Sequence, residues 1–189
     1  MTVIVGVQKE DYCILGGDRM VSVGGNYISR EKVSHKVFKR GGFIFGFTGT
    51  SRDAQILNFE KHGEGWDFNE KPEDIDYFMH TEFIEWIKNI YGKNKRLKTE
   101  NEIIGFSSGC FLAGCFGKLY YVGPHFSVSQ YKDSVYAIGC GWEFAYGAMF
   151  TSKNEPPMTM LENGLKAASY YSAYINEPFD FVESYKELK

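Results

Sequence analysis

A mixed α+β fold, with two antiparallel sheets stacked between two layers of helices (α/β/β/α), is what this 189-residue chain predicts. Three observations point there. Strand-like and helix-like segments come in blocks, in the order strands, two helices, strands, two helices. Several strand segments are apolar at consecutive positions instead of alternating, which implies strands covered on both faces. The clearest helical segment carries a single apolar stripe, as an outer helix packed on a sheet does. The length suits one domain spanning residues 1–189.

Taken in order, the apolar runs 3–7 and 12–15 flank Gln8-Lys9-Glu10-Asp11, which has the length and polarity of a hairpin turn. Val37-Phe38 and the run 43–47 flank Lys39-Arg40-Gly41-Gly42 in the same way. Ser51 is the expected cap of a short helix carrying Ala54, Leu57 and Phe59. Ile75, Phe78, Met79, Phe83, Trp86, Ile87 and Ile90 recur every three or four residues and form one core-facing stripe. Strands return at 109–115, 118–122 and 134–138, broken by glycines and by Gly123-Pro124. A third helix starts near Trp142, with Trp142, Ala145, Met149 and Phe150 on one side. Pro156-Pro157 ends any helix before it, and Thr159-x-x-Glu162 fits a capping box for a helix carrying Leu161, Leu165, Ala168, Ser172 and Ile175. The tail from Glu177 shows no clear pattern.

Composition narrows the functional classes. With 21 basic and 24 acidic residues the net charge is −3, so no bulk electrostatic pull draws the chain to nucleic acid or to anionic membrane. The basic stretch at 93–98 reads as a solvated helix end or loop. No apolar stretch approaches the length of a membrane span, and the N-terminus lacks the features of a signal peptide, so a cytoplasmic protein is expected. Cys13, Cys110, Cys115 and Cys140 lack Cys-x-x-Cys spacing and read as free thiols. His35, His62, His80 and His125 form no His-x-x-x-His pair, and neither a catalytic metal nor a cofactor is expected.

Thr2 is the most informative residue. Once Met1 is trimmed, it carries a hydroxyl nucleophile and a free α-amine, whose ordinary pKa of about 7.7–8.0 lies close to working pH. An adjacent amine is a recognised way to activate a threonine. Around it, in order, stand Leu15-Gly16-Gly17-Asp18-Arg19-Met20-Val21-Ser22, Ser34-His35-Lys36-Val37-Phe38 and Phe45-Gly46-Phe47-Thr48-Gly49. Each has a plainer reading alone: Asp18 as a turn residue, Lys36 as a surface lysine, Gly46 as a close-packing glycine.

Together these landmarks resemble the β-type subunits of the proteasome, and in particular the peptidase subunit of the bacterial heat-shock protease that works with an ATP-dependent unfoldase. Both are N-terminal nucleophile hydrolases. The resemblance is strongest over the first ~60 residues, returns at Tyr136-Ala137-Ile138-Gly139-Cys140-Gly141, and is loose elsewhere.

The resemblance implies a threonine peptidase of the four-layer fold, acting on peptides or unfolded polypeptide within a homo-oligomeric ring fed by an unfoldase. It assigns Thr2 as nucleophile, Lys36 as the ammonium keeping the α-amine neutral, Asp18 as the group holding Lys36, and Gly46 N–H as the oxyanion donor. Ser22 and Thr48 match positions that bind an extended peptide by strand addition, and Ile44 the lining of the first specificity pocket. Cys140 stands where the family has a serine near the α-amine, and a thiol is the weaker hydrogen-bonding group. Ser169 and Ser172 stand where proteasome subunits have an aspartate and a serine. Two other readings stay open: a hydrolase of small amides with the same fold, and a non-catalytic ring subunit.

Overall fold

The computed structural model describes residues 1–23, 27–30, 36–107 and 109–187, with 21–23 and 27–30 described as backbone. The chain runs β1 (Val3–Gln8), β2 (Tyr12–Asp18), β3 (Met20–Val23), β4 (Tyr27–Arg30), β5 (Val37–Arg40), β6 (Phe43–Thr48), α1 (Ser51–Phe59), α2 (Ile75–His80) and α3 (Glu82–Lys93). It continues through β7 (Leu97–Glu100), β8 (Ile103–Phe106), β9 (Cys110–Cys115), β10 (Lys118–Val122), β11 (Val128–Ser129), β12 (Val135–Gly139), α4 (Trp142–Thr151), α5 (Pro157–Tyr171) and β13 (Phe179–Tyr185). One sheet has the order β12-β1-β2-β13 and a second β11-β10-β9-β6-β5, while β3-β4 and β7-β8 are separate hairpins. The pairings are antiparallel.

Three apolar clusters match the three spaces between four layers. Phe43, Phe45, Phe47, Phe83, Trp86 and Ile87 fill the space between the second sheet and α1–α3. Ile4, Leu15, Ile44, Leu112, Leu119 and Ile138 fill the space between the sheets. Val3, Val5, Val7, Met149, Leu161 and Leu165 join the first sheet to α4 and α5. Strand alternation produces this sorting: in β1, Val3, Val5 and Val7 face the helices and Ile4 faces the other sheet; in β6, the phenylalanines face the helices and Ile44 faces the first sheet. Both faces of each central strand are thus buried, the origin of the consecutive apolar runs. The four-layer α/β/β/α expectation holds.

Local departures have local causes. The long stripe is two helices, because Thr81 (φ −120°, ψ −89°) leaves helical geometry between α2 and α3. The cap of α1 is Thr50, whose hydroxyl accepts from Asp53 N, and not Ser51; Phe59 is exposed. Trp142 and Phe150 are likewise exposed, while Ala145 and Met149 are buried. α5 starts at Pro157, whose missing N–H costs nothing in the first turn, so Thr159 and Glu162 lie inside the helix and form no capping box. Ser172 is the C-cap and Ile175 lies beyond it. The patternless tail forms β13 and pairs with β2 from Phe179↔Asp18 to Tyr185↔Tyr12. Among the described residues, no helix is long and apolar enough to cross a membrane.

Candidate active site

Thr2 sits just ahead of β1 and is 7% exposed. By the alternation that sends Val3 to the helices and Ile4 between the sheets, the Thr2 side chain faces the mouth between the two sheets. Its backbone is clamped on both sides: Cys140 N donates to Thr2 O at 2.7 Å, and Val3 N donates to Asp18 Oδ1 at 3.1 Å. The close approach of β12 depends on Gly139, which has φ +90° and whose hypothetical Cβ would lie 2.1 Å from Thr2 O and 3.0 Å from Thr48 Cγ2. The start of β1, the end of β6 and the end of β12 therefore meet at one point.

Asp18 and Lys36 converge on that point. The Asp18 side chain is fully buried and accepts three bonds, from Val3 N, from Met20 N at 3.1 Å and from Lys36 Nζ at 2.7 Å. Lys36 Nζ, on a side chain 12% exposed, also donates to Met1 O at 3.1 Å. That carbonyl belongs to the peptide group whose cleavage would free the Thr2 amine. Burial pushes the Asp18 carboxyl up from its ordinary value, while the Lys36 ammonium and the two backbone amides pull against the rise. The sequence signals for Thr2, Asp18 and Lys36 thus meet in space, across gaps of 16 and 18 positions.

The remaining expectations fare differently. Ile44 is completely buried between the sheets, which leaves its side chain no exposed face to offer a substrate. Gly46 lies mid-strand between β5 and β9, and its hypothetical Cβ would lie 2.5 Å from Ile4 Cγ2. Because Phe47 N donates to Lys36 O on the β5 side, the preceding N–H of Gly46 points to the β9 side, toward its partner Leu112. Gly46 is therefore a glycine for sheet packing. The glycine at the mouth is Gly49, exposed, with φ +131°, just past the last β6 residue. The sequence held a signal for it: of the two glycines, only Gly49 stands after the apolar run and before a helix cap.

Thr48 is near Thr2, but its hydroxyl donates to Cys110 O at 2.9 Å and accepts from Cys110 N at 3.3 Å, so it ties β6 to β9. Ser22 lies in β3 opposite Ile28. Cys140 contributes its amide to Thr2, and its half-buried side chain packs toward the α4–α5 core. Ser172 accepts from Tyr174 N at the end of α5 and makes no hydrogen bond to the Thr2 cluster among the described residues. Ser34 and His35 lie outside the described residues.

A polar cluster missed from sequence braces the mouth. Arg96 donates through Nε to Asp53 Oδ1 at 2.6 Å and through Nη2 to Thr50 Oγ1 at 3.0 Å; Tyr91 OH donates to the Asp53 carbonyl at 2.8 Å. Asp53 is 1% exposed, so this cluster fixes the first turn of α1 and with it the Gly49-Thr50 corner. Among the described residues no group of three or more His, Cys, Asp or Glu could hold a metal ion.

No family model matches the sequence. Solved structures do match the fold. BPH from Thiobacillus denitrificans, in complex with epoxomicin, superposes with a TM-score of 0.77 at 18% identity, over 100% of both chains. Eukaryotic HslV from Trypanosoma brucei gives 0.64 at 18% identity, covering 97% of this chain and 99% of that one. An Anbu (Gly-1) mutant from Hyphomicrobium sp. strain MC1 gives 0.67 at 12% identity, covering 100% and 84%. The chain has the proteasome-like, HslV-type fold that these proteins share.

Proposed function

We propose that this protein is a threonine peptidase whose nucleophile is Thr2, freed by removal of Met1, and that it hydrolyses peptide bonds inside a homo-oligomeric ring. The observation that carries this reading is the Asp18–Lys36 pair placed on the Met1–Thr2–Val3 backbone: Asp18 accepts from Val3 N and Lys36 donates to Met1 O. A lone buried carboxylate is costly, and so is a lysine held beside it without a second use. An ammonium fixed next to a new α-amine gives the pair a purpose: it disfavours a second positive charge and keeps the amine able to take a proton.

In the proposed mechanism the Thr2 amine, directly or through a water, takes the proton of the Thr2 hydroxyl. The oxygen attacks the substrate carbonyl, and a backbone N–H at the Gly49 corner, in place of Gly46, donates to the oxyanion; one such donor is worth about 3–4 kcal/mol. The amine returns the proton to the leaving nitrogen, and water hydrolyses the acyl-enzyme. Cys140 holds Thr2 O through its amide, and we assign the thiol no proton-transfer step. Ring assembly, cytoplasmic location and an unfoldase partner belong to the same proposal and draw on the shared fold. Thr2→Ala should abolish hydrolysis of a fluorogenic peptide while leaving far-UV circular dichroism and particle size unchanged; full turnover in that variant would end the proposal.

A further inference from the structure

A recess of about 430 Å³ opens beside the site, within the size range of ligand clefts. It shares Gly139, the residue that abuts Thr2, and Cys110, the residue bonded to Thr48, so it lies next to the mouth between the sheets. Its wall is aromatic: Tyr121, Tyr131, Trp142 and Tyr146 line it, and among the described residues no charged side chain does. The wall is also preorganised. Tyr131 stacks on Tyr136 with centroids 4.7 Å apart and on Tyr121 at 6.1 Å, and Trp142 meets Tyr146 edge-on at 5.8 Å. Tyr131 N donates to Tyr136 OH at 2.9 Å, and Tyr146 OH donates to Val135 O at 3.2 Å, which occupies part of the outer edge of β12.

We infer that this recess is a subsite for a bulky aromatic side chain of the polypeptide substrate, a specificity-determining element at Tyr131 and Trp142. This rests on the peptidase reading and adds the substrate class. Ring faces and edges of the wall offer offset-stacked and edge-on contacts, and the uncharged lining leaves a buried Lys or Glu side chain without an ion partner. The occupant follows from position: a chain whose carbonyl lies at Thr2 passes Gly139, and a neighbouring side chain is then within reach of the recess.

The test measures binding apart from turnover. Peptides that carry Phe, Ser, Glu or Lys at one scanned position are titrated calorimetrically into the assembled Thr2→Ala protein, which cannot consume them. Phe at one position should bind at least about tenfold more tightly than Ser, Glu or Lys, the scale of burying one large apolar side chain. Tyr131→Ala and Trp142→Ala should each erase most of that preference while leaving the Ser peptide within about twofold. Should either variant fail to fold, methyl NMR of the Thr2→Ala protein replaces it: the methyl of Ala137, which also lines the recess, should shift on adding the Phe peptide and not on adding the Ser peptide. Equal binding of all four peptides at every position, a preference that survives both alanine variants, or an unmoved Ala137 methyl would overturn the subsite. Hydrolysis by the Thr2 protein is followed in parallel. Turnover without aromatic preference defeats the subsite alone, and aromatic binding without turnover defeats the peptidase reading alone.

Discussion

Replacing Asp18 by Asn changes almost no volume and removes one charge, so its effect isolates the electrostatic role of the buried carboxylate. Asp18 accepts from Val3 N through Oδ1, and from Met20 N and Lys36 Nζ through Oδ2. An asparagine can serve only one side. With its carbonyl toward Met20 and Lys36, its amide nitrogen opposes Val3 N–H; turned over, it opposes both Met20 N–H and the ammonium. The better orientation leaves one buried N–H unsatisfied, at about 1–3 kcal/mol, and weakens a bond to a charged donor worth about 1.5–3 kcal/mol. The expected destabilisation is therefore about 2–5 kcal/mol, which for a chain of this size lowers Tm by roughly 4–20 °C. Thermal unfolding at fixed protein concentration reads it, because any assembly adds a concentration-dependent term. A Tm within 2 °C of the parent, together with peptide hydrolysis within about twofold, would refute the reasoning.

The same group sets a pH dependence. Burial raises the folded pKa of Asp18 above its ordinary 3.8, so through the window above 3.8 the folded state binds more protons than the unfolded one. The Asp18 contribution to stability falls as pH rises through that window, while the charged pair with Lys36 forms only above it. The fall in Tm that Asp18 contributes as pH rises through that window should accordingly be lost in Asp18→Asn, as thermal unfolding at a series of pH values reads.

Lys36→Met should cut kcat by about 10²- to 10⁴-fold with little change in KM, as loss of a group that tunes a proton acceptor does; steady-state kinetics on one peptide separates the two. Gly139→Ala should abolish turnover, since its Cβ would lie 2.1 Å from Thr2 O at φ +90°, whereas Gly147→Ala on α4, with nothing within 4 Å, should stabilise by about 0.5–1 kcal/mol. Urea titration and peptide hydrolysis check both. Arg96→Met removes the guanidinium from Asp53, which keeps the Thr50 hydroxyl donor at 2.8 Å, and should cost about 1–3 kcal/mol, with a rise in KM as the Gly49-Thr50 corner loosens.

What could be read from the sequence follows the range of the forces involved. The β1–β2 and β5–β6 hairpins were legible because their turns are local, and the layer order because consecutive apolar residues demand two buried faces. Pro157 and Thr50 show the limit of local pattern: each lies one or two residues from a competing cap, and only the backbone trajectory chooses. β13 was invisible because its partner β2 is far away in sequence and its edge position leaves most of it half-buried. Thr2, Asp18 and Lys36 were legible through order and spacing. Ile44 and Gly46 were misplaced because the resemblance matched them by order along the chain, and order does not say which way a mid-strand side chain or N–H points. Arg96 gave no sequence signal, because its meaning lies in a carboxylate 43 positions away.

The central claim is that Thr2, with a free amine, is the nucleophile. Intact-protein mass spectrometry before and after exposure to a peptide epoxyketone tests it most directly, because a stable adduct needs the amine and the adjacent hydroxyl together. Loss of Met1 and one adduct per chain, absent in Thr2→Ala, is the predicted result. Met1 retained in the assembled protein, or Met1 lost with no adduct at saturating reagent, would contradict it.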